Sequence, residues 1–211
     1  MKTLFSSAYL APIEYYAHWL QAENPVMDIH ENYRKQTFRS RTYIAGANGA
    51  LTLNIPIAHP SQGGAGHQKM AQARTVTEFR WERQHFRSLE TAYRTSPFFE
   101  YYEDRFKELY FSGETDNLLS FNLRAHRLIC GLLGADTDTA VSQAYQADPQ
   151  DTLDLREAFS PKRAGDTVFP PYTQVFDDRL GFLPNLSIVD LLFCCGPQAA
   201  EYLKNIKLSA L

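Results

Sequence analysis

The chain of 211 residues contains no apolar run of about 18 residues, the length a membrane-spanning helix requires, so no transmembrane segment is expected. The opening Met1–Phe5 is apolar, but Pro12 and Glu14 interrupt it too soon for a secretory signal. Cysteine is scarce and odd in number: Cys130, Cys194 and Cys195 form no C-x-x-C pair, and adjacent cysteines rarely bridge. Free, buried thiols in a reducing compartment follow, and with them a soluble, cytoplasmic protein. The six histidines include no H-x-x-x-H pair, and no Cys/His grouping has zinc spacing, so no metal site is expected. An excess of positive charge is also missing. Twenty-one Lys and Arg face 24 Asp and Glu, a formal net charge of −3, which argues against a nucleic-acid partner. No G-x-S-x-G elbow occurs, and Gly63–Lys69 lacks both the spacing and the Ser/Thr of a P-loop.

What the chain does have is enough length, and at 44% enough hydrophobic residues, for one domain with a sizeable core, residues 1–211. Its strongest local signal is Asn48-Gly49, which sits between β-branched and apolar runs and specifies a hairpin turn. A two-residue turn there pairs Ile44 with Leu53, Thr42 with Ile55 and Ser40 with Ile57. Phe38, Ser40, Thr42, Ile44, Leu51, Leu53, Ile55 and Ile57 then share one face, which must be core. The other face carries Arg39, Arg41, Tyr43, Thr52 and Asn54, joined by Tyr33 and Lys35 if the strand begins early. Two readings stand for these cations: a solvated outer face, or an anion site gripped by planar guanidinium forks.

Around the hairpin the pattern predicts strands at Leu4–Tyr9 and Val26–His30, with a helix at Ile13–Ala22 that has Pro12 in or near its first turn. Residues 58–73 read as a surface loop. Three longer helices are expected: Trp81–Arg94, one opening at Ser96-Pro97, and Asp116–Leu133 stopped by Gly134. A shorter helix starts at Ser187 and ends at Gly196-Pro197, followed by a last turn or helix to Lys204. The region Asp148–Pro171 reads as irregular apart from Leu153–Phe159. Strands first and helices after give an α/β or α+β fold: a mixed β-sheet with the hairpin and several packed helices.

At several points the chain resembles the WbqC-like family. The residues that carry the resemblance are Ser7-Ala8-Tyr9-Leu10-Ala11-Pro12, His30-Glu31-Asn32-Tyr33-x-Lys35-Gln36-Thr37-Phe38-Arg39-x-Arg41, Trp81-x-x-x-His85, Tyr93-x-x-Ser96-Pro97-Phe98-Phe99 and Leu186-Ser187-Ile188-x-Asp190-Leu191-Leu192-Phe193. They occur in the family's order from the N-terminus to about Gly196. The family's biochemistry is uncharacterised, and its name comes from association with bacterial O-antigen gene clusters. The resemblance therefore implies sugar, nucleotide-sugar or acyl-group chemistry by association. The chain departs from the pattern at Ala11 (Pro in the family), Ser40 (Asn) and Cys194 (Asn).

Each candidate has a plain structural alternative. His85, one turn after Trp81, is either a general base or a hydrogen-bonded core residue. His30 ends a predicted strand, where open α/β sheets place ligands. Ser187-x-x-Asp190 is a capping pattern, and Asp190 is alternatively a catalytic carboxylate. Cys194 and Cys195 fit inert buried thiols better than nucleophiles. Asn122 and His126, on an apolar helix stripe, must be tied to a neighbouring loop or face a cavity. Tyr172 and Gln174 are candidates for a loop closing over the hairpin.

The resulting expectation is a transferase-type enzyme with an anionic small molecule as its partner: a nucleotide, nucleotide-sugar or acyl carrier of surface-glycan or sugar-precursor metabolism. His30 and His85 would handle the proton. Tyr9, Asn32, Tyr33, Lys35, Arg39, Arg41, Trp81, Tyr172 and Gln174 would hold the ligand. No motif specifies a cofactor. The alternative is a non-catalytic binding or assembly protein whose basic strand face docks an acidic partner.

Overall fold

The computed structural model describes residues 1–58, 68–162 and 166–209. In chain order the elements are β1 (Lys2–Ser6), α1 (Ile13–Gln21), β2 (Asn24–Asp28), β3 (Arg41–Gly46), β4 (Gly49–Asn54), α2 (Trp81–Tyr93) and α3 (Phe99–Phe111). There follow α4 (Leu118–Leu132), β5 (Thr152–Asp154), α5 (Asp177–Leu180), α6 (Ile188–Cys195) and α7 (Ala199–Asn205).

The expected α/β class holds, with parallel and antiparallel pairing kept in separate sheets rather than one. β1 is the centre of a parallel sheet of order β2-β1-β5, with Leu4 opposite Val26 and Lys2 opposite Thr152. A central parallel strand is covered on both faces, which is why Thr3, Leu4, Phe5 and Ser6 are all buried despite the two hydroxyls. The third strand was the hardest to foresee. Thr152–Asp154 is three residues long with a single apolar side chain, Leu153, and only its ladder with β1 makes it a strand.

The hairpin β3–β4 stands alone as an antiparallel pair. Its register differs from expectation by two residues: Thr42 pairs with Leu53 and Ile44 with Leu51, so the turn is Ala47-Asn48 and Gly49 ends the ladder at φ 118°. Because side chains alternate with a period of two, a two-residue shift leaves every face assignment intact. Ser40, Thr42, Ile44, Leu53 and Ile55 are buried as expected, while Leu51, near the tip, is exposed.

The residues before the hairpin do not extend β3. Residues 35–40 form turns, with Gln36 at φ 60°, so the shared strand face from Tyr33 to Tyr43 does not form. Asn32 instead bridges to Lys69; the Tyr33 N–H donates to the Gln68 carbonyl (2.8 Å) and the Met70 N–H to that of Glu31 (2.9 Å). The Gly-rich stretch 61–66 lies outside the described residues.

The helices follow the pattern closely. α3 begins at Phe99 rather than Ser96 because Ser96 closes the preceding helix instead: its N–H and hydroxyl both donate to the Tyr93 carbonyl (2.9 and 2.7 Å). Asn117 caps α4 by accepting the Ser120 N–H (2.9 Å). Aromatic rings from α2, α3, α4 and α6 interlock in the core, among them Trp81 against Phe121 (5.1 Å) and Phe193 against Tyr93, Phe99 and Phe106 (5.1–5.2 Å). Among the described residues, no helix is long and apolar enough to cross a membrane.

Candidate functional site

The fold distributes the sequence-predicted residues among four places and leaves His30 outside them all; only one of the four is an open cleft with free positive charge. That cleft, of about 320 Å³, lies between the turn 33–36 and the start of the hairpin. Lys35 and Arg41 supply its charge, Tyr33, Ser40, Asn54 and Gln68 its polar groups, and Ile55, Ile57 and Ala58 its apolar wall. The Tyr33 and Ser40 hydroxyls are bonded to each other (3.1 Å). Lys35 and Arg41 form no ion pair with any described residue. The neighbouring segment 59–67 contains no acidic residue in its sequence. Arg41 Nε is shielded from solvent and has no hydrogen-bond partner among the described residues, which leave one guanidinium donor desolvated without compensation.

Arg39 is not part of this cleft. Its side chain is 3% exposed and donates to Glu31 Oε2 (2.5 Å) and Glu157 Oε1 (3.1 Å), so its charge is already neutralised. It belongs to a buried ionic cluster at the carboxyl ends of the parallel strands. There Arg156 donates to Asp28 (2.7 Å) and, through Nε and a terminal nitrogen, to both oxygens of Asp154. Burial, together with the nearby Asp28 and Glu157 carboxylates, pushes the Glu31 carboxyl up to about 7 despite the Arg39 guanidinium. Asn32 faces a small cavity beside this cluster, on the side of the segment 31–36 opposite Tyr33 and Lys35.

Tyr9, Trp81 and His85 form the third group, and all are core. The Tyr9 hydroxyl bonds His85 Nδ1 (2.8 Å) and the Tyr110 hydroxyl (2.5 Å), and the Trp81 ring meets both Tyr9 and His85 edge-on. Burial lowers His85 to about 4, so it is neutral at physiological pH and 5% exposed. No described cavity reaches it. His30 is exposed at the end of β2, its N–H bonded to Asp28 Oδ1 (2.9 Å), and lines none of the described cavities.

Tyr172 and Gln174 form the fourth group, around Asp190. The buried Asp190 carboxylate accepts from the Tyr93 hydroxyl (2.7 Å), the Tyr172 hydroxyl (2.5 Å) and Gln174 Nε2 (2.9 Å). It therefore does not fold back onto its own helix start. Ser187 caps α6 alone, accepting from the Val189 N–H (3.5 Å), and its hydroxyl donates to the Leu10 carbonyl (2.8 Å). The segment 172–174 is thus fastened to α6, through the carboxylate that Tyr93 of α2 shares, rather than draped over the hairpin. Asn122 and His126 are likewise tied: Asn122 donates to the Arg39 carbonyl (2.8 Å), and His126 meets Tyr16 and Cys130. Burial raises the Cys194 thiol and pushes Cys195 up to about 11, which disfavours thiolate chemistry at either.

Sequence reasoning passed over Asn54 and Gln68 as lining residues. It placed Asn54 on the correct strand face, but the Tyr33–Gln68 pairing that closes the cleft joins segments 35 residues apart and leaves no local signal. Among the described residues no group of three or more His, Cys, Asp or Glu side chains is arranged to hold a metal ion.

Comparison with known proteins matches residues 7–169 to the WbqC-like protein family. The chain is also similar to the uncharacterized protein Rv1507c of Mycobacterium tuberculosis, 26% identical over 197 residues, covering 82% of this chain and 84% of that protein. No solved structure matches it. The family match spans most of the chain and takes in the cleft, the ionic cluster and the Tyr9–Trp81–His85 core, so this protein belongs to the WbqC-like family.

Proposed function

We propose that the cleft between Lys35 and Arg41 binds the anionic part of a small molecule, the phosphate or carboxylate of a nucleotide, nucleotide-sugar or acyl carrier. We further propose that the protein is a transferase-type enzyme of surface-glycan or sugar-precursor metabolism. The observation that carries the binding reading is Arg41: a partly buried guanidinium on the wall of an open cleft that has, among the described residues, no carboxylate partner and an Nε that is shielded and unbonded. An anion would supply the missing acceptor in a charge-assisted bond, and Lys35 would add a second charge. The apolar wall of Ile55, Ile57 and Ala58 would take the uncharged remainder of the ligand, and the cleft's volume of about 320 Å³ suits a small molecule. Treating residues 1–211 as one domain is supported by the buried apolar cluster, which is contiguous from Phe5 to Ile206.

The described lining of the cleft holds no imidazole or carboxylate, which favours a second reading: binding or assembly without catalysis, with an acidic partner docked on the same cations. A thermal-shift screen against nucleotides, nucleotide-sugars and acyl-CoAs, followed by a turnover assay on any hit, separates the two. A ligand at 100 times its dissociation constant adds roughly 2.7 kcal/mol, about 5–10 °C for a chain of this size. The shift should vanish in a Lys35→Ala, Arg41→Ala variant that melts like the parent. Binding with turnover supports the enzyme, binding without turnover supports the second reading, and a shift that survives the double substitution removes both.

A further inference from the structure

We propose that the ligand of the Lys35–Arg41 cleft is a phosphorylated sugar, a neutral hexose ring bearing a phosphate ester, and that Asn54 and Gln68 select the sugar. The inference rests on the anion-binding reading of that cleft and adds the chemistry of the rest of the ligand. The anion comes first. Lys35 and Arg41 bring two positive charges, and no carboxylate stands in the described lining to offset either. A phosphate monoester carries about 1.5–2 negative charges at pH 7 and matches that pair, whereas a carboxylate carries one. The same lack of a carboxylate leaves nothing to pair an ammonium, which disfavours amino acids and sugars with a free amine.

The neutral part follows from the side chains around the cations. Asn54 is the cross-strand partner of Arg41, on the hairpin face opposite the core. Directly opposed residues on one face bring their Cβ atoms within about 4.5–5.5 Å, so a ligand held by Arg41 lies within reach of the Asn54 carboxamide. A second carboxamide is set beside Tyr33, whose N–H donates to the Gln68 carbonyl (2.8 Å); Gln68 Nε2 gives one of its two hydrogens to the Gln72 carbonyl (3.2 Å). The Tyr33 and Ser40 hydroxyls, bonded to each other, each keep capacity for a further bond. A carboxamide presents a donor and an acceptor side by side, the pattern that two neighbouring sugar hydroxyls complement. An acyl chain would strip water from these groups and return no hydrogen bond. A nucleobase fares little better, because it binds by stacking and Tyr33 is the one aromatic ring in the described lining. Gln36, a third carboxamide of the lining, is held at φ 60°, where glycine would fit without strain, and strained residues collect where ligands are clamped. The wall of Ile55, Ile57 and Ala58 would meet the C–H edges of the ring. A volume of about 320 Å³, at the low end for small-molecule sites, suits a unit of this size.

The test titrates the full chain with inorganic phosphate, with the 1-phosphates of glucose, galactose, mannose and N-acetylglucosamine, and with butyl and phenyl phosphate as the acyl-like and aromatic controls. Binding is read by calorimetry and by the side-chain amide signals of Asn54 and Gln68 in nuclear magnetic resonance. At least one sugar phosphate should bind roughly fivefold or more tighter than the other three phosphates, one hydrogen bond being worth about that factor. Asn54→Leu and Gln68→Met, at an exposed and a half-buried position, should each remove about that factor for the sugar phosphate and leave the affinity for inorganic phosphate as it was. The uridine-diphosphate form of the best sugar, titrated alongside, tells a free sugar phosphate from the end of a nucleotide-sugar by which binds tighter, and either result is the class proposed. Inorganic, butyl or phenyl phosphate binding as tightly as every sugar phosphate, or a sugar preference that survives both substitutions, would overturn the inference and leave the anion site standing. No binding of any phosphate, or binding unchanged in Lys35→Ala, Arg41→Ala, would overturn the anion-binding reading itself and this inference with it.

Discussion

Replacing Asp190 with Ala tests whether this carboxylate is the structural tie that fastens the segment 172–174 to the core. The wild-type side chain is fully buried and accepts three hydrogen bonds, at 2.7, 2.5 and 2.9 Å, from Tyr93, Tyr172 and Gln174. The three donors do not suffer equally. Gln174 Nε2 keeps the Leu183 carbonyl (2.9 Å), whereas the Tyr172 and Tyr93 hydroxyls lose the acceptor they donate to. Tyr93 also accepts the Ala45 N–H (3.0 Å), so the disturbance reaches β3. At about 1.5–3 kcal/mol for each bond to a charged group, two lost bonds amount to roughly 3–6 kcal/mol. Removing a carboxylate whose burial raises its pKa returns part of that, so a net loss of about 2–4 kcal/mol is expected. For a chain of this size that lowers Tm by about 5–15 °C. Asp190→Asn, which keeps the shape and lets the hydroxyls turn, should cost less than half as much. Urea and thermal melts followed by near-ultraviolet circular dichroism read both variants. An Asp190→Ala protein melting within about 2 °C of wild type would refute the reasoning, because the fully buried Tyr93 hydroxyl and the half-buried Tyr172 hydroxyl cannot both lose their acceptor free of cost.

Other outcomes follow from the same structure. Gly196→Ala should destabilise by more than about 2 kcal/mol in chemical melts, because φ is 54° there and an added Cβ would lie 2.5 Å from the Phe98 ring. His126, held at about 3 by burial, stays neutral in the folded protein while the unfolded chain takes up a proton below about 6.5. Its contribution is therefore complete above pH 6.5 and lost progressively toward pH 3, and a His126→Gln variant should show a flatter stability profile across that window. Glu31 acts in the opposite sense: raised to about 7, it makes the folded state hold a proton that the unfolded chain releases above about 4.5. Stability then falls as pH rises from 4.5 to 7, and that slope should disappear in Glu31→Gln urea melts. His85→Gln should lower Tm through the lost Tyr9 hydroxyl bond and ring packing, which thermal melts check.

Local pattern alone was sufficient for the elements whose cause is local. The period of apolar residues in α2 and α4, Gly134 after α4, and the Asn-Gly signal at the hairpin each act within a few residues, so their physics is present in the sequence. The face assignment of the hairpin survived a two-residue error in register for the same reason: alternation depends only on parity. The family resemblance was legible as well, since it lies in short ordered motifs. Tertiary structure alone decided where charge is free. Arg39 and Arg41 stand two residues apart and look alike in the sequence, yet Arg39 is quenched by Glu31 and Glu157, the latter 118 residues away, while Arg41 meets no carboxylate among the described residues. It also made a strand of polar Thr152–Asp154 by laying it beside β1, and turned Asp190 from an apparent cap into a buried anchor for Tyr93, Tyr172 and Gln174. Ion pairing and burial depend on which distant segments meet, and that is settled only when the core closes.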